Sequence, residues 1–307
     1  MIENFLTVTA QVLSLFIMIF VGFLLGKLKL ITENATTSIS NIILYVATPA
    51  AVLQAFLSET PTKEKNINLL LIAVFAIIAH ILGIVLSKLL IRNKLEDTKA
   101  VLHFGAIFSN CGYMSFPLQK AILGDIGIFY GAMYVAVFSV FYWSYGAAIM
   151  NKEKTFSFKK IILNPATIAT FLSLILYFVQ LKLPVVVGSA VTALGNLNTP
   201  LPMIIIGYYL STAKISAAFT DKRIYLASFL RLLLIPSIML VLMLLCGVRG
   251  VPLIASVVAT SAPAAAAGTM FSIKFGRDTL CSVNAVTFTT LLSILTMPLF
   301  VALAQLF

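Results

Sequence analysis

Apolar residues run through this chain in blocks of about 20, each long enough as a helix to cross a hydrocarbon core of about 30 Å. Short polar stretches separate the blocks. The pattern predicts ten spans, at 5–26, 36–57, 67–90, 99–122 and 126–150, then 161–180, 187–211, 223–246, 251–273 and 279–305. A polar linker, NKEKTFSFKK at 151–160, divides them five and five. The expected fold is an all-α polytopic membrane protein. The N-terminus opens MIENF, with no basic stretch and no small-residue cleavage site, so the first span is expected to be retained and not removed as a signal peptide.

Two spans are interrupted in their middle. Span 4 contains FSNCGYMSFP (108–117), and span 9 contains TSAPAAAAG (260–268). Spans 2 and 7 carry Thr48-Pro49 and Thr199-Pro200, which lie 151 positions apart. The same offset carries Ser109-Asn110 onto Thr260-Ser261 and Gly127 onto Asp278. One offset across three landmarks marks an internal repeat of five spans. Five is odd, so the second half enters the membrane from the opposite side, and inverted repeats of this kind are a feature of secondary transporters. The domain reading follows: 1–150 as the first repeat and 161–307 as the second.

A proline inside a helix removes a hydrogen bond and clashes with an earlier carbonyl. Irregular backbone at membrane depth is tolerated only where protein buries it or a wet cavity is lined by it. The expected breaks are at Pro49, Pro117, Pro200 and Pro263, with those of spans 4 and 9 meeting near the midplane. Each break starts a half-helix whose N-terminal N–H groups and dipole favour an anion without a cationic side chain. Ser109, Asn110, Cys111, Gly112, Thr260, Ser261, Pro263 and Ala264 are the expected binding residues. Asn110 can donate and accept, the hydroxyls add partners, and Gly112 with the alanine run keeps the backbone bare. Kinked membrane helices often have no substrate nearby. The repeat relation between two kinks that both carry polar clusters turns the reading toward a site.

Further polar residues inside apolar spans are Asn41, Gln54, Asn196, Asn198 and Asn284. They either line the path or bond neighbouring helices. His80 and His103 are read as packed or interfacial side chains before proton relays. Arg231, two turns into span 8, is expected to snorkel to the interface.

Composition supports the membrane assignment. The 307 residues are 61% hydrophobic and 10% charged, against roughly 25% charged in soluble proteins. The net charge of +11 reflects topology and not nucleic-acid binding. Fifteen of the 21 Lys and Arg follow odd-numbered spans and five follow even-numbered ones. By the positive-inside rule, both termini then lie outside the cytoplasm. Cys111, Cys246 and Cys281 are widely separated, with no metal-ligand spacing. All ten Asp and Glu fall in loops or near span ends. That weighs against cation exchange, which would need a carboxylate at mid-membrane, and against a hydrolase with an acid/base pair. No GxxxxGK[ST] loop is present for ATP-driven pumping. No cofactor is expected, and coupling to protons or sodium stays open.

Several segments resemble the auxin efflux carrier family: LYVATPAAVLQAFL, SNCGYMSFPLQKAILGDIGIFYG, ILNPATIAT, LGNLNTPLPMIIIGYYL, and TSAPAAAAGTMFSIKFGRD followed by LLSILTMP. The likeness covers nearly the whole chain, and the short central linker is similar to that of prokaryotic members. The resemblance implies broken, crossed helices 4 and 9, as in sodium/proton-antiporter- and bile-acid-symporter-like folds. It also implies a scaffold of helices 1, 2, 6 and 7 that often forms a homodimer, and a transport domain of helices 3–5 and 8–10. The implied cargo is a small organic anion, a dicarboxylate or an auxin-like acid. Plant carriers place a proline-asparagine pair at the helix 4 crossing, where this chain has Ser109-Asn110, and a polar residue after the helix 9 proline, where it has Ala264. These departures weigh against auxin itself and leave the anion assignment. The rival readings are a sodium-coupled bile-acid-type symporter and a membrane sensor that uses the fold without flux.

Overall fold

The computed structural model describes residues 2–152, 165–213 and 215–307. Most of the polar linker, residues 161–164 of span 6 and Lys214 lie outside these. Among the described residues there are fourteen helices, one of which lies outside the expected spans. They are α1 Ile2–Lys27, α2 Glu33–Leu57, α3 Lys63–Leu90, α4 Glu96–Ile107, α5 Ser115–Leu123, α6 Asp125–Met150 and α7 Pro165–Val179. The rest are α8 Val185–Asn196, α9 Pro200–Thr212, α10 Ile215–Thr220, α11 Lys222–Leu245, α12 Gly250–Ser261, α13 Ala267–Phe275 and α14 Thr279–Ala304. Among the described residues, six helical stretches are long and apolar enough to cross a membrane: α2, α3, α6, α8 with α9, α11 and α14. Span 4 divides into α4 and α5, and span 9 into α12 and α13. Helix α10 follows span 7 and was not expected.

Helix starts follow local chemistry. Thr32 and Thr62 accept hydrogen bonds from the N–H groups of Ala35 and Lys65, and Asp278 accepts from Cys281. Each satisfies a first-turn donor with no partner inside its helix. Gly276 ends α13 in the left-handed region (φ 61°), where a side chain would be strained.

The prolines do not all break helices. Pro49 sits in an unbroken α2, directly after a π-turn at Ile43–Ala47. There Thr48 N–H bonds Ile43 O, one residue further back than in an α-helix, and this widening admits the ring. Pro117 lies in the first turn of α5, where its missing N–H would have no partner anyway. Only Pro200, opening α9 after a turn, and Pro263, between α12 and α13, stand at interruptions. The expected breaks at Pro49 and Pro117 are therefore corrected.

Helices α1 and α9 approach each other closely. A β-carbon on Gly22 would lie 2.2 Å from the Ile204 carbonyl oxygen, and one on Gly207 would lie 1.9 Å from that of Ile19. With Gly26 four residues after Gly22 and set against Ser211, this is the small-residue stripe that lets backbones touch inside lipid. Helix α2 packs on both α7 and α8, and Thr48 Oγ1 donates to Asn198 Oδ1 at 2.7 Å. The two Thr-Pro segments related by the offset of 151 thus meet in space.

Placing valine at Gly22 or Gly207 is expected to destabilise the protein by about 3 kcal/mol, the upper part of the range for overpacking. The unfolding temperature of purified protein checks this, with Gly188→Val as control because a β-carbon there meets nothing within 4 Å.

Candidate functional site: two interrupted helices and a buried arginine

Helix α12 stops where its sequence requires it to. Pro263 forces the preceding residue out of the α region, and Ala262 is extended (φ −61°, ψ 149°). Helix α4 stops with no proline, at an extended Phe108 (φ −96°, ψ 111°). Its stop is tertiary. Asn110 N–H donates to Pro263 O at 2.7 Å, and Ala265 N–H donates to Phe108 O at 2.9 Å. Ser109 and Ala264 thereby form an isolated antiparallel bridge. Ala264 N–H is taken by Thr289 Oγ1 on α14 at 3.2 Å. The interrupted segments of spans 4 and 9 pair with each other through their backbones.

The pairing brings Ser109, Asn110, Pro263 and Ala264 together, with Thr260 and Ser261 on the adjoining turn. Ser109, Cys111, Thr260, Ser261 and Ala264 are buried, while Asn110, Gly112 and Tyr113 are partly open. Among the described residues, the Asn110 carboxamide has no hydrogen-bond partner. A β-carbon on Gly112 would meet nothing within 4 Å, so there is open space beside it. A cavity of about 10 Å³ touches the other side of the crossing, lined by Phe104, Gly105, Ala264, Ala265 and Gly268.

Arg231 overturns the snorkelling expectation. It is 2% exposed and points to the crossing. Nη1 donates to Ile107 O at 2.8 Å and Ala106 O at 3.4 Å, and Nη2 donates to Thr260 O. These carbonyls belong to the last turns of α4 and α12, where no further helical N–H follows to bond them. No acidic side chain pairs with Arg231 among the described residues. Each helix C-terminus carries about half a negative charge, so the two ends together match one guanidinium. Burying a lone cation costs several kcal/mol, and this carbonyl set offsets that cost. A π-turn at Leu230–Leu234 carries the residue. It precedes Pro236 as the π-turn in α2 precedes Pro49. Spacing alone conceals this target, although a basic residue deep in an apolar span was a signal. The offset of 151 that relates the other landmarks also relates His80 to Arg231.

His80 is buried beside the crossing. Its ring stacks on Phe141 and lies 6.0 Å from that of Phe108, and Nδ1 is 2.7 Å from Ala76 O. Rings of Phe104, Phe108, Phe138, Tyr142 and Phe271 complete an apolar shell. Two residues of α5 join span 4 to α12: Ser115 Oγ donates to Val258 O at 3.2 Å and Gln119 Nε2 to Ala255 O at 2.8 Å. Gln119 is fully buried and was not singled out from the sequence.

The remaining candidates lie elsewhere. Asn41 and Asn196 are exposed, and Asn198 holds Thr48. Gln54 reaches Asp125 at 3.5 Å, and His103 lies 3.4 Å from Ile91 O. Asn284 donates to Asp221 Oδ2 at 3.1 Å. It belongs to a charged cluster at one end of the bundle, where Arg223 bridges Asp221 and Asp278, and Arg277 binds Asp97 and the Met150 carbonyl. A 340 Å³ recess there is lined by Asp97, Thr98, Arg277 and Asp278.

Residues 7–301 match the family model described as membrane transport protein. The chain belongs to the membrane transport protein family. These are the transporters related to the auxin efflux carriers that the motifs resemble. An "uncharacterized transporter" of Methanothermobacter thermautotrophicus is 25% identical over 96% of this chain and 98% of its own length. Another, from Methanocaldococcus jannaschii, is 22% identical over 94% and 96%. As a member of this transporter family the chain is a multi-pass membrane protein set in a lipid bilayer.

The hydrogen bonds of Arg223 hold the Asp221 carboxyl below the ordinary carboxylate value. A lowered acid stabilises the fold above its unfolded pKa and loses that contribution as pH falls through the folded one. Asp221→Asn is therefore expected to lower the unfolding temperature by a constant amount from pH 8 to about pH 5. The gap to wild type should begin to narrow below about pH 4 and close only as pH falls through the lowered folded value, measured by thermal unfolding across that series.

Proposed function

We propose that this chain is a secondary carrier of small organic anions, with the substrate carboxylate held at the crossing of spans 4 and 9. One observation carries the reading: the charge arrangement around the interruption. Arg231 neutralises the two helix C-termini that end there. The N-termini of α5 and α13 begin at the same interruption, each with about half a positive charge. Among the described residues, no Asp or Glu lies at the crossing. The net field at the break favours an anion, and the Asn110 carboxamide, open and unpartnered, is placed to orient it.

The inverted repeat supports alternating access. Two of the three landmark pairs related by the offset of 151 meet in space, as equivalents near a pseudo-twofold axis would. On this reading α1, α2 and α7–α9 form the scaffold and the interrupted helices move against it. Lys and Arg distribution favours both termini outside the cytoplasm, and on this reading the scaffold is the surface through which a homodimer would form. A sodium-coupled symporter is the weaker reading, because it needs acidic ligands near the crossing.

Protein reconstituted in liposomes is expected to take up a small carboxylate saturably, with dicarboxylates as the first probes. Asn110→Ala should weaken binding roughly 10- to 100-fold, the worth of a hydrogen bond to a charged group, with the unfolding temperature unchanged. Normal uptake by Asn110→Ala would sink the site, and saturable binding without flux would replace the carrier by a sensor. Gly112→Phe should fill the adjacent space and abolish uptake while the protein stays folded. Gly112→Ala should be tolerated.

A further inference from the structure

We infer that Arg231 is a tethered cation occupying a monovalent-cation site built from half-helix carbonyls, so that the crossing needs no sodium ion to hold it together. The inference deepens the proposed carrier reading at the point of coupling. The geometry that carries it stands without any substrate.

In carriers built on interrupted helices, unwound backbone carbonyls and half-helix C-terminal ends are where a coupling cation binds. Here the corresponding oxygens are those of Ala106, Ile107 and Thr260, drawn from two helices that end at one point. All three point at one guanidinium. An arginine serving as an anion receptor would present its two Nη groups as a fork to a carboxylate. In Arg231 both Nη groups already donate to backbone oxygens, Nη1 to two and Nη2 to one, so the fork is not free for a carboxylate. Nε alone is left without an acceptor among the described residues, and it is buried. The side chain thus stands where a metal ion would and leaves the anion to the N-terminal ends.

Three further features fit a permanent occupant. The arginine sits on a π-turn, which re-aims it into the gap between α4 and α12. No carboxylate competes for it among the described residues, so its partners are neutral dipoles whose sum is about one negative charge. Its residence is enforced by packing, because Leu230 and Leu232 beside it are buried in the core. A tethered cation has no dissociation step. Release of a coupling ion at this point is therefore absent from the transport cycle.

The test removes the tether and returns the charge from solution. Wild type, Arg231→Ala and Arg231→Lys are purified and unfolded thermally in choline, sodium, potassium and low-millimolar guanidinium chloride. Wild type is expected to unfold at the same temperature in all four. Arg231→Ala should unfold several degrees lower in choline and recover saturably with guanidinium or sodium, since a ligand that binds only the folded state raises its melting temperature. Arg231→Lys should keep most of the wild-type value. Saturable stabilisation of wild type by sodium would overturn the proposal, as would an Arg231→Ala protein that equals wild type in choline or ignores every cation. If Arg231→Ala does not fold, the wild-type and Arg231→Lys series still decide. A lysine variant that falls and is restored by sodium supports the cation site, and one that falls and is not restored refutes it. Because the readout needs no substrate, failure here is separable from failure of the anion assignment, which rests on uptake and Asn110.

Discussion

A backbone N–H or C=O in hydrocarbon has no water to bond, so each must be satisfied by the protein itself. A continuous helix meets this requirement internally. Spans 4 and 9 do not, and the centre of the molecule is arranged to make good the deficit. Asn110 N–H finds Pro263 O, Ala265 N–H finds Phe108 O, and Ala264 N–H finds Thr289. Ser115 serves Val258, and Arg231 gathers Ala106, Ile107 and Thr260. Neither break is tenable alone. Each supplies the partners the other lacks.

That accounting fixes the electrostatics. Interrupting a helix exposes both ends of a dipole at one place, and doing so twice yields two negative and two positive ends at the crossing. The arginine takes up the negative pair. The positive pair remains, faced by an uncharged carboxamide and bare backbone. On the proposed reading, the sign of the site follows from peptide geometry and one side chain, with no need for a surface-exposed cation. The aromatic shell of Phe104, Phe108 and Phe138 strengthens it by keeping the local dielectric low.

On the carrier reading, packing differs between the helices assigned to the scaffold and those at the crossing. Glycines bring α1 and α9 into backbone contact, which leaves no room for sliding. At the crossing the two segments meet through backbone hydrogen bonds and small residues inside the aromatic shell, and space lies open beside Gly112. The ion pairs of Asp97, Asp221, Arg223, Arg277 and Asp278 gather at one end of the bundle, linking the starts of α4 and α14 to the segment before α11.

Hydrophobic block lengths in the sequence determined the all-helical membrane class. Pro263 determined the end of α12, because a proline excludes the α conformation from the residue before it and any neighbourhood would have felt that. The offset of 151 pointed to two contacts seen in the fold, Thr48 with Asn198 and the paired segments at Ser109 and Ala264. Three things were decided only in the folded chain. Span 4 breaks although Ser109 has an N–H and could have stayed helical; it is the waiting backbone of span 9 that draws Phe108 and Asn110 out. Pro49 leaves α2 whole because a π-turn absorbs it, a response set by surrounding packing. Arg231 turns inward and not to the interface. A flexible cation goes to the strongest available dipoles, and the carbonyls of Ile107 and Thr260, more than 20 positions away in either direction, become neighbours only when both halves have folded.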